Sequence, residues 1–177
     1  MTIERETGAG AIFGGLERAE YEVLSILDPV VESAAATGRP RKIDVVYGTI
    51  ERDLVAVGDG QKLRQVFANV LQNALEAIDP RGPGGRVVVD LRAAPDRVVV
   101  EVSDTGVGIG AEDREKIFLP FYTTKPSGTG LGMSIVKKII DLHGGDIAVE
   151  SAPGRGTRVR IALPAAAVHS IATGGDS

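Results

Sequence analysis

Three short stretches hold residue types that packing alone does not ask for. In "NVLQNALEA" (69–77), Asn69 and Asn73 stand at i and i+4, beside an apolar stripe. With Gln65 and Glu76 they draw a polar line along the same segment. Asparagine is a mediocre helix former because its amide competes for backbone hydrogen bonds. The bland reading of such a line is a solvent face. The sharper reading is that Asn73 offers an amide oxygen to a hard cation such as Mg²⁺. In "SDTGVGIG" (103–110), Asp104 stands at the end of a valine-rich run, and Gly106, Gly108 and Gly110 follow it. Glycines there let a ligand approach the backbone. Gly106-x-Gly108-x-x-Ala111 also fits a dinucleotide fingerprint. That fingerprint needs a following helix, a parallel strand and an acidic residue about 20 positions on. The region in question reads "FLPFYTTKPSG" and supplies no suitable acid. In "FYTTKPSGTGLGMS" (121–134), Lys125 precedes Gly128, Gly130 and Gly132, and a helical apolar pattern starts directly after them. A helix N-terminus offers unpaired N–H groups and partial positive charge, which suits phosphate. No G-x-x-x-x-G-K-[ST] occurs, so this loop is not a P-loop.

The elements that must position these residues are largely visible. Asp59 caps a helix whose stripe is Leu63, Val66, Phe67, Val70, Leu71, Ala74, Leu75 and Ile78. "RVVVDLRA" and "RVVVEVSD" form a hairpin around Pro95-Asp96. The helix after Gly132 uses Ile135, Val136, Ile139 and Ile140, and stops at Gly144-Gly145. "DIAVES" and "TRVRIALP" make a last hairpin around "APGRG". Upstream, "YEVLSIL" (21–27) reads as a strand, with a helix as the alternative. Asp28 and Pro29 read as N-cap and first helical position of a helix closed by Gly38. "KIDVVYGTI" and "DLVAVGD" read as two strands around a turn, and a short helix is expected near Glu112–Ile117. Strands that mostly pair as hairpins, with a few amphipathic helices, predict an α+β two-layer sandwich. Residues 1–16 are expected to be a flexible segment, 17–164 the domain, and 165–177 a tail.

Bulk properties narrow the function. The 177 residues are 43% hydrophobic and 25% charged, enough for one domain with a proper core. A net charge of −4 without a long basic tract argues against nucleic acid. The short cluster Arg39, Arg41 and Lys42 reads as a solvated turn. Cysteine is absent, which excludes disulfides and thiol catalysis. His143 and His169 lie too far apart for a metal spacing. No apolar run approaches ~20 residues, so no membrane contact is expected from this chain. A cytoplasmic location follows, alone or as the cytosolic part of a larger sensor.

The order of these stretches resembles the ATP-binding catalytic domain of sensor histidine kinases, within the superfamily shared with type II topoisomerases, Hsp90 and MutL. "NVLQNALEA" looks like the family's N box, "DTGVGIG" (104–110) its G1 box, "FLPFYTTK" (118–125) its F box and "GTGLGMS" (128–134) its G2 box. The closing "GRGTRVRIALP" is also typical, and the likeness covers roughly residues 20–164. It implies the Bergerat sandwich, with a mixed sheet covered on one face by helices. It implies Mg²⁺ on Asn73, with Asn69 flanking the metal. Asp104 would accept from the adenine amino group, joined by the Thr157 hydroxyl. Gly106, Gly108, Thr129, Gly130, Leu131 and Gly132 would surround ATP, and Lys125 would contact phosphate. Where ATP-hydrolysing relatives place a glutamate, this chain has Asn69, whose amide cannot take a proton from water. Transfer to a separate acceptor is therefore expected.

The departure lies upstream. Such kinases carry the acceptor histidine on a two-helix dimerisation segment, and nothing here matches it. His143 reads as structural, a cation meeting the end of a helix. The expected partners are thus a histidine-bearing dimerisation domain, in cis or in trans, and a response regulator downstream. Two rival readings are a serine kinase of the anti-sigma type and a catalytically silent nucleotide-binding docking module.

Overall fold

In the computed structural model, residues 15–126 and 128–167 are described. Strand β1 (Ala19–Glu22) leads into helix α1 (Val23–Gly38), followed by β2 (Ile43–Ile50) and β3 (Val55–Gly58). Helix α2 (Gly60–Ala77) precedes the hairpin of β4 (Gly85–Ala94) and β5 (Arg97–Asp104). After a long loop come α3 (Gly132–Leu142), β6 (Asp146–Ser151) and β7 (Thr157–Pro164). The main sheet runs β2-β4-β5-β7-β6. Its β2–β4 pair is parallel and the other three pairs are antiparallel. The sheet is therefore mixed.

Strand periodicity explains the two layers. Val87, Val89 and Leu91 of β4, Val100 and Val102 of β5, and Ile161 and Leu163 of β7 alternate inward and are buried. The other face carries charged pairs, Arg158 with Glu101 at 3.2 Å and Arg92 with Asp90 at 3.7 Å. The helices cover the apolar face alone. The predicted α2 stripe is buried throughout, from Leu63 to Ile78. Burying each such side chain is worth about 1.5–3 kcal/mol.

Three local readings are corrected. Helix α1 starts at Val23 rather than Asp28, and Pro29 lies inside it. An interior proline costs about 3 kcal/mol. Val23, Leu24, Ile26, Leu27, Val30 and Val31 are all buried at helical spacing, and together they outweigh that cost. The two strands around a turn exist, but they do not pair with each other. Strand β3 pairs antiparallel with β1, while β2 takes β4 as its parallel neighbour. The short helix near Glu112–Ile117 is a series of turns ending in a 3₁₀ turn, Lys116–Phe118. None of residues 111–120 is fully buried, so a single helical turn has no apolar face to hold it.

Downstream, Ala165 bridges Ala56, and the Ala166 N–H donates to Val55 O at 2.9 Å. His169 and the rest of the expected tail beyond 167 lie outside the described residues, as do residues 1–14 of the expected N-terminal segment.

Both ends of α2 are held by polar side chains. At its start, Asp59 accepts from the N–H groups of Gln61 and Lys62, each at 3.1 Å. Burial pushes the Asp59 carboxyl up, but the Lys62, Glu17 and Gln61 N–H groups together with the Lys62 charge hold it below the usual carboxylate range. The Asp59 backbone N–H donates to His143 Nε2 at 2.9 Å, and His143 Nδ1 lies 2.7 Å from Ile139 O. One tautomer satisfies both contacts: Nδ1 donates and Nε2 accepts. His143 is structural as expected. The structure corrects its expected cationic form, because a second ring proton would face the Asp59 N–H.

At the other end, Arg41 donates to Leu75 O at 3.1 Å and to Ile78 O at 2.8 Å. These carbonyls end α2, where the Leu75 O accepts a long bond from the Ile78 N–H at 3.4 Å and the helix has no further turn to satisfy them. Arg41 is thus a helix cap, where the sequence suggested a solvated turn. We expect Arg41→Ala to lower stability by about 1–2 kcal/mol, because two charge-assisted bonds to a part-buried helix end are lost. Urea unfolding should show a lower midpoint with an unchanged slope. Arg39→Ala, with no such bonds, should leave the midpoint in place.

Candidate functional site

One cavity of about 400 Å³ opens between α2, the loop before α3, the first residues of α3 and strands β5, β6 and β7. Of the residues expected at the site, Asn69, Asn73, Asp104, Lys125, Thr129, Gly130, Gly132 and Thr157 line it. Gly106, Gly108 and Leu131 are not among its walls. The helical repeat brings Asn69, Gln72, Asn73 and Glu76 to one side of α2, facing the cavity. Gln65 is exposed and belongs to none of its walls. The polar line is therefore part cavity wall and part solvent face.

Charge gathers at one end. Helix α3 begins with no side-chain cap. A Cβ placed on Gly132 would lie 4.0 Å from Asn73 Nδ2, so the helix start and the Asn73 amide are neighbours. The first N–H groups of a helix are unpaired and carry the positive end of its dipole. Lys125 Nζ lies 2.5 Å from Glu76 Oε2 and 3.4 Å from Asn73 Oδ1. Burial pushes the Glu76 carboxyl up, but its bonds from Lys125 and Gln72 bring it below its ordinary value. Glu76 was noticed in the sequence only as one point of a polar line. Its distance of 49 positions from Lys125 hid the pairing.

The cavity also has apolar walls, among them Val102, Ile109, Met133, Val149 and Val159. Asp104 lines the cavity as well. Burial raises its pKa, against the lowering effect of the Gly106 and Thr157 N–H groups and of Lys125. The Gly106 N–H donates to Asp104 Oδ1 at 2.8 Å. Gly106 and Gly108 thus act from behind the wall. The Val107 N–H donates to Ala77 O at 2.9 Å, and Val107 O accepts from the Gly154 N–H at 2.7 Å. Gly108 has φ +75, and a Cβ there would meet Ala152 O at 2.0 Å. Glycine is required at that position by both conformation and contact. Tyr122, unmarked in the sequence reading, also lines the cavity and donates to Asp113.

The profile described as histidine kinase-, DNA gyrase B- and HSP90-like ATPase matches residues 58–167. The chain belongs to this ATPase family. Sporulation kinase D of Bacillus subtilis (strain 168) is 38% identical over 126 residues, which is 71% of this chain and 24% of that protein. The chain therefore spans about a quarter of the length of this curated relative. The catalytic domain of histidine kinase ThkA superposes with a TM-score of 0.75 at 36% identity, covering 84% of this chain and 95% of that one. Full-length ShkA, solved in complex with AMPPNP, gives a TM-score of 0.75 at 27% identity, over 85% of this chain and 32% of that one. The expected α+β sandwich is thus the fold of histidine kinase catalytic domains.

As an ATPase-family site, the cavity has the polarity that a nucleotide asks for. An uncapped helix start suits phosphates, an apolar wall suits a purine ring, and a carboxylate suits an amino group. Among the described residues, no cluster of three or more His, Asp or Glu side chains could hold a metal by itself. Asn73 Oδ1 already faces a cation, the Lys125 ammonium. One neutral oxygen beside an uncapped helix start would suit a magnesium ion that draws its other ligands from outside the protein.

Proposed function

We propose that this chain is the catalytic domain of a two-component sensor histidine kinase. It binds Mg-ATP and transfers the γ-phosphoryl group to a histidine on a dimerisation domain outside this sequence. The observation that carries the reading is the convergence of Asn73, the uncapped α3 N-terminus and Asp104 on one cavity. Histidine kinase ThkA has been solved in complex with the response regulator protein TrrA, which supports a response regulator as the downstream partner here. A cytoplasmic location fits this role. Among the described residues no helix is long and apolar enough to cross a membrane.

Phosphoryl transfer asks a protein for positioning and charge stabilisation. The α3 N–H groups hold the phosphates, assisted by Thr129, Gly130 and Leu131 at the loop end. Asn73 directs its amide oxygen to Mg²⁺, which when bound neutralises the phosphate charge. Lys125 supplies a second positive group. Asn69, on the same side of α2, flanks the metal without acting as a base toward water. That favours transfer over hydrolysis. Relatives named sensor histidine kinases, and the histidine kinase ThkA, favour this reading over the anti-sigma serine kinase. The silent docking module has no observation in its favour.

The acceptor must come from elsewhere. His143 is 4% exposed and both of its ring nitrogens are engaged. It also closes a helix of 11 residues, so it lies roughly 16 Å from the phosphate end. With labelled ATP and Mg²⁺ the isolated chain should stay essentially unlabelled. Adding a dimerisation fragment with an accessible histidine should give an acid-labile, base-stable phosphoprotein on that fragment. Acid-stable, base-labile label would indicate a serine acceptor. Stoichiometric label on this chain that survives His169→Ala would count against the reading.

A further inference from the structure

Ser151, at the end of β6, makes three contacts that together determine where every hydrogen goes. The Ile109 N–H donates to its Oγ at 2.7 Å. Gly156 O lies 2.8 Å from the same oxygen, and Thr157 Oγ1 also lies 2.8 Å from it. A carbonyl oxygen can only accept, so the single Ser151 hydroxyl hydrogen goes to Gly156 O. The contact with Thr157 must then be filled by the Thr157 hydrogen. Thr157 lines the cavity, and its hydroxyl has no hydrogen left to offer there. It presents lone pairs alone.

Asp104 stands beside Thr157 in the β5–β7 register, and it too lines the cavity. Its Oδ1 is taken by the Gly106 N–H, and an ionised carboxylate has no hydrogen to give. The side chains at this end of the cavity therefore form a wall of acceptors. A ring edge carrying an amino group complements that wall. A carbonyl in the same place meets a lone pair and is rejected, because two acceptors face each other.

We infer that Ser151 is a specificity-determining residue: by taking the Thr157 hydrogen, it sets the cavity to read a 6-amino purine and to refuse a 6-oxo one. The inference rests on the nucleotide reading above. Ser151 itself touches the wall from behind. It acts through Thr157 and, through the Ile109 N–H, holds the glycine turn in place. Without it, the Thr157 hydroxyl is free to turn and donate to a carbonyl.

The test is calorimetric titration of the whole chain with Mg-ATP and with Mg-ITP, which differs from ATP at the 6-position and in the proton on N1. The wild type should prefer ATP. Ser151→Ala should narrow the ATP-to-ITP affinity ratio about three- to tenfold, the worth of one hydrogen bond reversed in polarity. Ser151→Thr keeps the hydroxyl and should restore the ratio. In a Thr157→Val background, Ser151→Ala should change the ratio no further. Equal weakening of both nucleotides would mean a merely structural role for Ser151 and overturn the inference, as would an unchanged ratio. A wild type that binds neither nucleotide would overturn the nucleotide reading itself.

Discussion

Asp104→Asn is expected to weaken ATP binding about ten- to a hundredfold while leaving the domain folded. The lost contact is a hydrogen bond to a charged acceptor, worth about 1.5–3 kcal/mol, and each 1.4 kcal/mol is tenfold in affinity. The fold should not suffer, and the reason is electrostatic. Burial raises the Asp104 pKa in the folded chain. A raised carboxyl pKa contributes stability below the ordinary carboxylate range, and that contribution is lost as pH rises through the raised value. At neutral pH the buried charge is therefore a net cost, and an amide removes it. An asparagine oxygen can still accept from the Gly106 N–H, so the turn keeps its anchor. Melting temperature should stay level or rise. Calorimetry is the direct measurement. GTP binding as tightly as ATP in the wild type would sink the proposed role of Asp104.

Asn73→Ala is expected to abolish phosphoryl transfer, by at least about a hundredfold, without cost to stability. A metal at a transferring phosphoryl group is worth several kcal/mol of transition-state stabilisation, and 1.36 kcal/mol is tenfold in rate. Asn73 lies outside the apolar stripe of α2, whose neighbouring members Val70, Leu71, Ala74 and Leu75 stay buried. Alanine is the better helix former. Lys125 loses its 3.4 Å contact but keeps Glu76 at 2.5 Å, so the loop remains tethered. Transfer to an added dimerisation fragment gives the rate, and thermal unfolding gives the stability. Normal transfer by the variant would reduce Asn73 to a wall residue with no metal role.

Much of the site was legible because its chemistry is written locally. Asn69 and Asn73 are one helical turn apart, so a single helix places both on the cavity wall. Asp104 and its glycines share one turn, and Gly130 and Gly132 share the loop that opens α3. Lys125 was marked as a phosphate contact by the family resemblance. Its partner Glu76 needs an element distant in sequence to reveal it. Ser151 gave no signal at all, since a serine ending a strand is ordinary until its three partners are seen. His143 was recognised as structural. Its hydrogen-bonding form was not, because its partner Asp59 lies 84 positions away.

The same division runs through the fold. Caps, 3.6-residue stripes, two-residue alternation and tight turns act over a few residues. The sequence by itself therefore determined α2 with its Asp59 cap, the β4–β5 and β6–β7 hairpins, α3 with its glycine borders, and the α+β class. Tertiary structure alone decided that β2 pairs in parallel with β4 and that β3 leaves it for β1. A parallel pair needs a crossover, and no local pattern says where a crossover lands. It also decided that Pro29 sits inside α1, because burial of that helix's apolar face outweighs a local penalty. Arg41 was decided in the same way. Its two carbonyl partners are 34 and 37 positions distant, and a basic residue in a turn becomes a helix cap only when the fold carries that helix end to it.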